Sequence, residues 1–130
     1  MPYEIEYSDN PPGVTTKFFG IVTDSDLHQS CIDRTASVER IKKLAYVLDD
    51  FTDVSGFPVT SEGIQDAAKY AVNAAELNRN IQYISIVPND LLYGMSRMWQ
   101  AYTDETQWER NIVSTLKEAE QWLIENVNQT

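Results

Sequence analysis

The sequence predicts an α/β domain built on a mainly parallel β-sheet. Short apolar stretches with strand character alternate with longer helical stretches along most of the chain. Ser, Thr, Asp or Asn stands at most of the expected helix starts, where such residues cap helices. With 130 residues, 42% of them hydrophobic, the chain is long enough to bury a core without disulfides or metals. We therefore expect one domain over residues 1–130.

The composition is acidic and typical of a soluble globular protein. Twenty Asp and Glu residues against ten Lys and Arg residues give a formal net charge of −10 at pH 7. This charge disfavours binding to nucleic acid or to anionic membranes. No apolar run approaches the roughly 20 residues that a transmembrane segment needs, and no signal peptide is visible. Because Cys31 is the only cysteine, we expect a cytoplasmic protein with Cys31 in its core.

The first part of the chain predicts a β-hairpin, a helix and a third strand. The first strand alternates apolar and acidic residues, the turn is rich in Asn, Pro and Gly, and the second strand is rich in β-branched and aromatic residues. The third strand is apolar on both faces in its first half, which is typical of a central strand. The expected bounds are strands over 2–7, 14–22 and 44–51, with a helix from Thr23 or Asp24 to about Lys42.

Arg34 lies on the apolar arc of the first predicted helix. The favoured interpretation is that its aliphatic stem packs in the core while its guanidinium reaches the edge. The alternative is a buried cation that pairs with Asp49 or Asp50.

The stretch 47–64, VLDDFTDVSGFPVTSEGI, organises the second part of the chain. It predicts a strand, a loop containing Ser55, Gly56 and Pro58, and the start of a helix with a face of small residues. The full order is β-β-α-β-α-β-α-β-α, with five strands, about four helices and right-handed crossovers. The later elements are helices over 61–79, 91–103 (capped by Asn89 or Asp90) and 115–127, and strands over 81–87 and, weakly, 107–113.

This order resembles the STAS domain, the SpoIIAA-like sandwich of anti-sigma-factor antagonists. The resemblance covers nearly the whole chain. Three stretches carry it: the third strand with its loop ending in VTSEGI, the fourth strand with the short helix after it, and the closing IVSTLKEAEQWL. The segments VLDDFTDVSGF, YGMSRMW and EAEQWL are similar to a mostly uncharacterised bacterial SpoIIAA-like branch. The resemblance implies a domain that acts through protein contacts.

The resemblance also places a phosphorylation site. STAS antagonists carry an Asp-Ser pair at the start of the second major helix, and a partner kinase phosphorylates the serine. That serine falls on Ser61, and Thr60 stands where the family has Asp. The absence of this Asp favours a chain that shares the fold of these antagonists but not their phosphorylation switch. Hydroxyl residues at a helix start usually act as caps, so capping is the favoured role of both residues and a phosphoswitch the alternative.

Polar residues at the carboxyl ends of the predicted strands could line a ligand site, since these ends are the usual ligand position in α/β sheets. The favoured interpretation is that they cap helices or face solvent. Metal-ligand spacing and catalytic motifs are not visible. We therefore expect no catalytic residues, no metal and no cofactor, and we predict a protein that is not an enzyme. The candidate rim comprises Asp53, Thr60, Ser61, Asn89 and Ser114.

Apolar residues outside the packing arcs suggest a protein interface or a ligand pocket. The helix over 90–103 has a wide apolar arc containing Met and Trp, and Met adapts to irregular partners. The leading hypothesis is a non-catalytic, regulatory protein-interaction domain that forms a homodimer and binds an unknown protein partner. The alternative is a carrier that holds an apolar or lipid-like small molecule beside helix 90–103. The candidate residues are Met95, Met98, Trp99, Tyr102, Tyr70 and Leu77.

Overall fold

A computed structural model describes residues 2–127; Met1 and residues 128–130, the ends of the predicted domain, lie outside the described residues. Five strands form one sheet in the order β1 to β5. β1 and β2 are antiparallel, and all other neighbours are parallel. The predicted α/β class and mixed, mainly parallel sheet are confirmed. The elements are β1 (Tyr3–Asp9), β2 (Pro12–Ile21), α1 (Asp24–Arg34), α2 (Val38–Lys43), β3 (Tyr46–Gly56), α3 (Ser61–Leu77), β4 (Gln82–Ile86), α4 (Asp90–Tyr102), a 3₁₀ turn (Asp104–Thr106), β5 (Glu109–Val113) and α5 (Leu116–Asn126).

Helices cover both faces of the sheet, but unequally. The parallel strands follow one another in chain order, so right-handed crossovers place α1 to α4 on one face. α5 lies on the other face, where Ala119 packs with Leu48, Ile84 and Ile86. β3 and β4 are therefore buried on both sides, as the apolar residues of the third predicted strand indicate. Within residues 2–127, no helix is long and apolar enough to cross a bilayer.

β3 continues to Gly56 instead of ending at Phe51. The second half of the strand forms because it pairs with the end of β2, where Phe19 opposes Asp53 and Ile21 opposes Gly56. β2 shifts its register twice in this region, and Gly20 has φ of 66°, a left-handed conformation that favours glycine. Pairing with a long neighbouring strand thus overrides the local turn character of the predicted loop.

The first predicted helix is two helices, so residues 2–127 contain five α-helices in place of about four. The Thr35 hydroxyl donates to the Cys31 carbonyl (2.6 Å) at the end of α1. The Ser37 hydroxyl accepts the Arg40 N–H (3.2 Å) and caps α2. Such hydroxyls offer the backbone alternatives to a continuous helix. The break turns Val38 to solvent, although the uninterrupted periodicity places it in the core.

Arg34 is buried, not at the edge of the core. Its Nη1 lies 2.5 Å from Asp49 Oδ1, and its Nη2 donates to the Tyr83 hydroxyl at 3.0 Å. The Tyr83 hydroxyl donates in turn to the second oxygen of Asp49. The favoured interpretation of Arg34 is therefore wrong, and the alternative, a buried cation paired with Asp49, is confirmed. Cys31, predicted in the core, is buried beside this network.

Arg34 and Asp49 stay ionised although they are buried, because each side chain has a hydrogen-bonding partner of suitable charge or polarity. Burial alone would lower the pKa of Arg34, but the Asp49 carboxylate and the Tyr83 oxygen raise it well above the ordinary value. Burial raises the pKa of Tyr83 well above its usual range. At neutral pH Arg34 is therefore charged and Tyr83 neutral. The three side chains tie the end of α1 to β3 and β4.

Arg34→Met should lower the free energy of unfolding by about 3–5 kcal/mol, because it leaves Asp49 buried without its cation. Urea unfolding monitored by circular dichroism measures this change. The double variant Arg34→Met/Asp49→Leu removes both charges and should recover most of the loss. The matched control is Lys17→Met, which breaks the exposed Lys17–Asp53 pair and should cost less than about 1 kcal/mol. A double variant as unstable as Arg34→Met would contradict this account.

Candidate functional site

Three helices begin at the carboxyl ends of β2, β3 and β4, the edge at which α/β proteins usually bind ligands. Thr23, Thr60 and Asn89 are their N-caps. Each cap side chain accepts a backbone N–H from the first turn of its helix. Two of the predicted rim residues, Thr60 and Asn89, therefore use their side-chain oxygens within the protein.

Asp24 joins the start of α1 to the start of α3. Its Oδ1 accepts the Thr60 N–H at 2.8 Å, and its Oδ2 accepts the Thr60 hydroxyl at 2.7 Å. A carboxylate is stabilised at the positive end of the α3 dipole. Gly63 makes room for it, because a Cβ at this position would lie 2.1 Å from Asp24 Oδ1. The sequence offers Asp24 as one of two possible starts of the first helix, but no local pattern shows that it reaches α3.

Ser61 is the exposed first residue of α3. Its neighbour Thr60 holds the Asp24 carboxylate, and Glu62 follows it. A phosphate on Ser61 would therefore approach a helix start that already holds a negative charge, and like charges repel.

The remaining rim candidates do not converge on Ser61. Asp53 lies within β3, and its carboxylate is 3.2 Å from Lys17 Nζ; this hydrogen bond raises the pKa of Lys17. Ser114 follows β5, which is separated from β3 by β4. In the described part of the chain, no group of three His, Cys, Asp or Glu residues is placed to hold a metal ion.

A small cavity lies between α4 and the helical face of the sheet. Its volume is about 30 Å³, and its lining includes Phe57, Met95 and Trp99 together with the polar groups of Arg34 and Ser85. That volume suffices for one or two water molecules, whereas a cavity that binds benzene has about 150 Å³. Typical ligand pockets are larger still, at about 300–1,000 Å³.

The six apolar candidates are divided between the core and the surface. Met95, Met98 and Trp99 are half-buried and pack against one core cluster. Tyr70 is also half-buried, and its hydroxyl is hydrogen-bonded to His28 Nε2 (3.1 Å). Only the remaining two, Leu77 near the end of α3 and Tyr102 at the end of α4, are exposed to a partner.

Other large apolar side chains are exposed at the carboxyl edge of the sheet. Ile21 is 63% exposed at the end of β2, and Leu91 (62%) and Tyr93 (48%) are exposed in the first turn of α4. Sequence periodicity places Leu91 on the inward arc of α4, and this is wrong: Leu91 is exposed, and the buried residue of the first turn is Leu92. The same periodicity places Leu116 inward at the start of α5, and this residue is exposed as well.

The end of β3 lies between Ile21, at the end of β2, and Leu91 and Tyr93, which follow β4. Ile21 lies over Gly56, where an added Cβ would be 3.4 Å from the Ile21 Cγ1 atom. The next residue, Phe57, lines the α4 cavity together with Leu92, the neighbour of Leu91. We call Ile21, Phe57, Leu91 and Tyr93 the carboxyl-edge surface.

Acidic side chains lie at the same edge of the sheet, and three of them, Asp24, Glu62 and Asp66, line a groove between α1 and α3. They come from the starts of α1, α3 and α4 and from the end of β3. Lys17 is paired with Asp53, and Lys69, farther along α3, is paired with Asp66. The acidic residues are Asp24, Asp26, Asp53, Glu62, Asp66 and Asp90.

Comparison with solved structures assigns the fold. An uncharacterised protein of the DUF3478 family from Shewanella loihica, with a SpoIIAA-like fold, matches with a TM-score of 0.61 and 20% identity over 93% of this chain and 91% of that one. The anti-sigma factor antagonist SpoIIAA in its unphosphorylated form matches with a TM-score of 0.64 and 11% identity over 96% and 99% of the two chains. The phosphorylated form of the Bacillus cell fate determinant SpoIIAA matches with a TM-score of 0.59 and 15% identity over 93% and 98%.

These matches confirm the predicted STAS-like (SpoIIAA-like) fold. At such low identity they establish the fold and not the function. No protein-family model matches the sequence, and no curated protein matches it.

Gly63→Ala should destabilise the protein by about 1–2 kcal/mol, because the new methyl group displaces Asp24 from its charged hydrogen bonds to Thr60. In an Asp24→Ala background the same substitution should instead stabilise by up to about 1 kcal/mol, since Ala forms helix better than Gly. Urea unfolding of the four proteins gives this double-mutant cycle.

The control is Gly94→Ala in α4, where an added Cβ meets nothing within 4 Å. It should stabilise by up to about 1 kcal/mol in either background. If Gly63→Ala stabilises the otherwise native protein as Gly94→Ala does, Asp24 does not occupy the start of α3.

Proposed function

We propose that this protein is a non-catalytic, regulatory protein-interaction domain that binds its partner through the carboxyl-edge surface. The observation that carries this proposal is the joint exposure of Ile21, Leu91 and Tyr93. Single exposed apolar residues are normal, whereas a contiguous apolar group with a polar rim is typical of protein contacts, and we propose that these side chains form such a group. Tyrosine is also enriched among the residues that dominate binding energy at interfaces.

The fold and the chemistry of the described residues support this role. SpoIIAA, which has the same fold, is an anti-sigma factor antagonist. His28 is engaged with Tyr70, so it is not paired with a nucleophile. Burial raises the pKa of the Cys31 thiol, which makes it a poor nucleophile at neutral pH. We assign Thr60 and Ser61 a structural role at the start of α3.

The cavity volume does not favour the carrier alternative. A lipid-like ligand would need α4 to move away from the sheet, because the cavity of about 30 Å³ is far smaller than a ligand pocket. A cytoplasmic location and self-association stay predictions. Among the apolar residues first considered for a subunit contact, Leu77 and Tyr102 are the ones that a second copy can reach.

Ile21→Ser/Leu91→Ser should reduce capture of a protein partner at least about tenfold, because hot-spot side chains contribute about 2 kcal/mol or more each. The measurement is cross-linking mass spectrometry of tagged protein in extracts of the source organism. The control, Tyr102→Ser/Ile124→Ser, removes two exposed apolar side chains elsewhere and should capture the same partners as the native chain. Capture that survives the first variant and is lost in the control would refute the assigned surface.

Native mass spectrometry after gentle purification should show only masses that are whole multiples of the 14.8 kDa of the chain, with no added ligand mass. This is the expected result because the cavity admits only water-sized molecules. A co-purified apolar molecule that is released by denaturation would contradict it and favour the carrier.

A further inference from the structure

A second surface lies at the opposite end of the sheet, where α2 leads into β3. Arg40, Lys42 and Lys43 are three of the ten basic residues of the chain, and all three are exposed. No ion pair engages them within residues 2–127. They form the densest group of basic residues in the sequence. On a protein with a net charge of −10 this concentration of free cations stands out.

Apolar side chains adjoin these cations. The Arg40 guanidinium lies 3.7 Å from the centre of the Tyr7 ring, a cation–π contact. The Asn78 side chain donates to the Ile41 carbonyl (2.9 Å) and so brings the end of α3, with the exposed Leu77, to α2. We call Tyr7, Val38, Arg40, Lys42, Lys43 and Leu77 the α2-end surface.

The α2-end surface is held in place before any partner binds. Ser37 caps α2, and the Ala45 N–H after it donates to the Pro12 carbonyl at 2.7 Å. A preformed surface loses little conformational entropy on binding. Arg40 and Lys43 line a surface groove together with two acids, Asp9 and Glu39, so Lys42 is the cation of this surface that lies outside the groove.

The two surfaces complement each other. The carboxyl-edge surface is apolar with acidic side chains at the same edge, and the α2-end surface is apolar with three basic side chains beside the two acids Asp9 and Glu39. They lie at opposite ends of the parallel strands, because α2 precedes β3 whereas α3 follows it. A symmetric dimer through either surface would set like charges against each other. A contact between unlike surfaces sets acids against bases.

We propose that the carboxyl-edge surface binds the α2-end surface of a second copy of this chain. The contact is heterologous, so it builds rings or open chains and not a two-fold dimer. This inference rests on the proposed function of the carboxyl-edge surface and names its partner. At about 0.15 M salt the Debye length is about 8 Å, so the repulsion between the net charges is screened while direct ion pairs persist.

Analytical ultracentrifugation of variants that keep one surface each tests the contact. The edge variant is Ile21→Ser/Leu91→Ser, and the α2 variant is Lys42→Glu/Lys43→Glu. The native chain should exceed its monomer mass of 14.8 kDa as its concentration rises to about 1 mM, the weak end of specific affinity. Each variant alone should stay monomeric. Their equimolar mixture should form a two-copy complex and nothing larger, since each partner offers one intact surface.

Two controls separate the contact from general effects of charge and hydrophobicity. Arg97→Glu/Lys117→Glu changes the net charge by the same amount as the α2 variant, at exposed positions outside the α2-end surface. Tyr102→Ser/Ile124→Ser removes as many exposed apolar side chains as the edge variant. Both should associate like the native chain. Urea unfolding should show that all four variants keep native stability within about 1 kcal/mol, as is usual for surface changes.

A native chain that stays monomeric throughout, or a mixture of variants that forms no two-copy complex, would overturn the head-to-tail contact. So would an α2 variant that associates as strongly as the native chain. If the native chain is monomeric but the edge variant still loses its cellular partner, the head-to-tail contact fails while the proposed function stands.

Discussion

The buried pair of Arg34 and Asp49 is the interaction on which the arrangement of the helical face depends. An unpaired charge at this depth would cost several kcal/mol, so the end of α1 can occupy only the position at which Arg34 meets Asp49 and Tyr83. The other end of α1 carries Asp24, which bonds Thr60 at the start of α3. One short helix, fixed at both ends, therefore sets where α3 begins at the carboxyl edge.

Polar groups at the carboxyl edge are hydrogen-bonded within the protein, and this limits what the edge can bind. Thr23, Thr60 and Asn89 cap the three helices, and Asp24 is bound to Thr60. What remains exposed at this edge is a set of apolar side chains together with several acidic ones. The cavity beneath α4 is too small for an organic ligand. The same edge that holds small molecules in many α/β proteins is thus better suited here to another protein.

Charge is distributed unevenly between the two ends of the sheet. The net charge of −10 conceals a basic group on α2 at the far end of the sheet. Unlike charges lie at opposite ends of the sheet, and apolar side chains lie beside both groups of charges. The fold therefore offers two surfaces that differ in the sign of their charge but are both partly apolar. Such complementarity favours one relative orientation of two chains over others.

The sequence by itself determined the elements whose pattern is local. Period-two and 3.6-residue repeats located the strands and helices, the capping residues located helix starts, and the resulting order pointed to the STAS-like fold that the solved structures confirm. The features that define the candidate site depended on residues far apart in the chain. Pairing with β2 extended β3 to Gly56, Asp49 made the burial of Arg34 possible, and the packing of α4 buried Leu92 and left Leu91 exposed. Local patterns encode which face of an element is apolar, but only tertiary packing decides how much of that face another element covers.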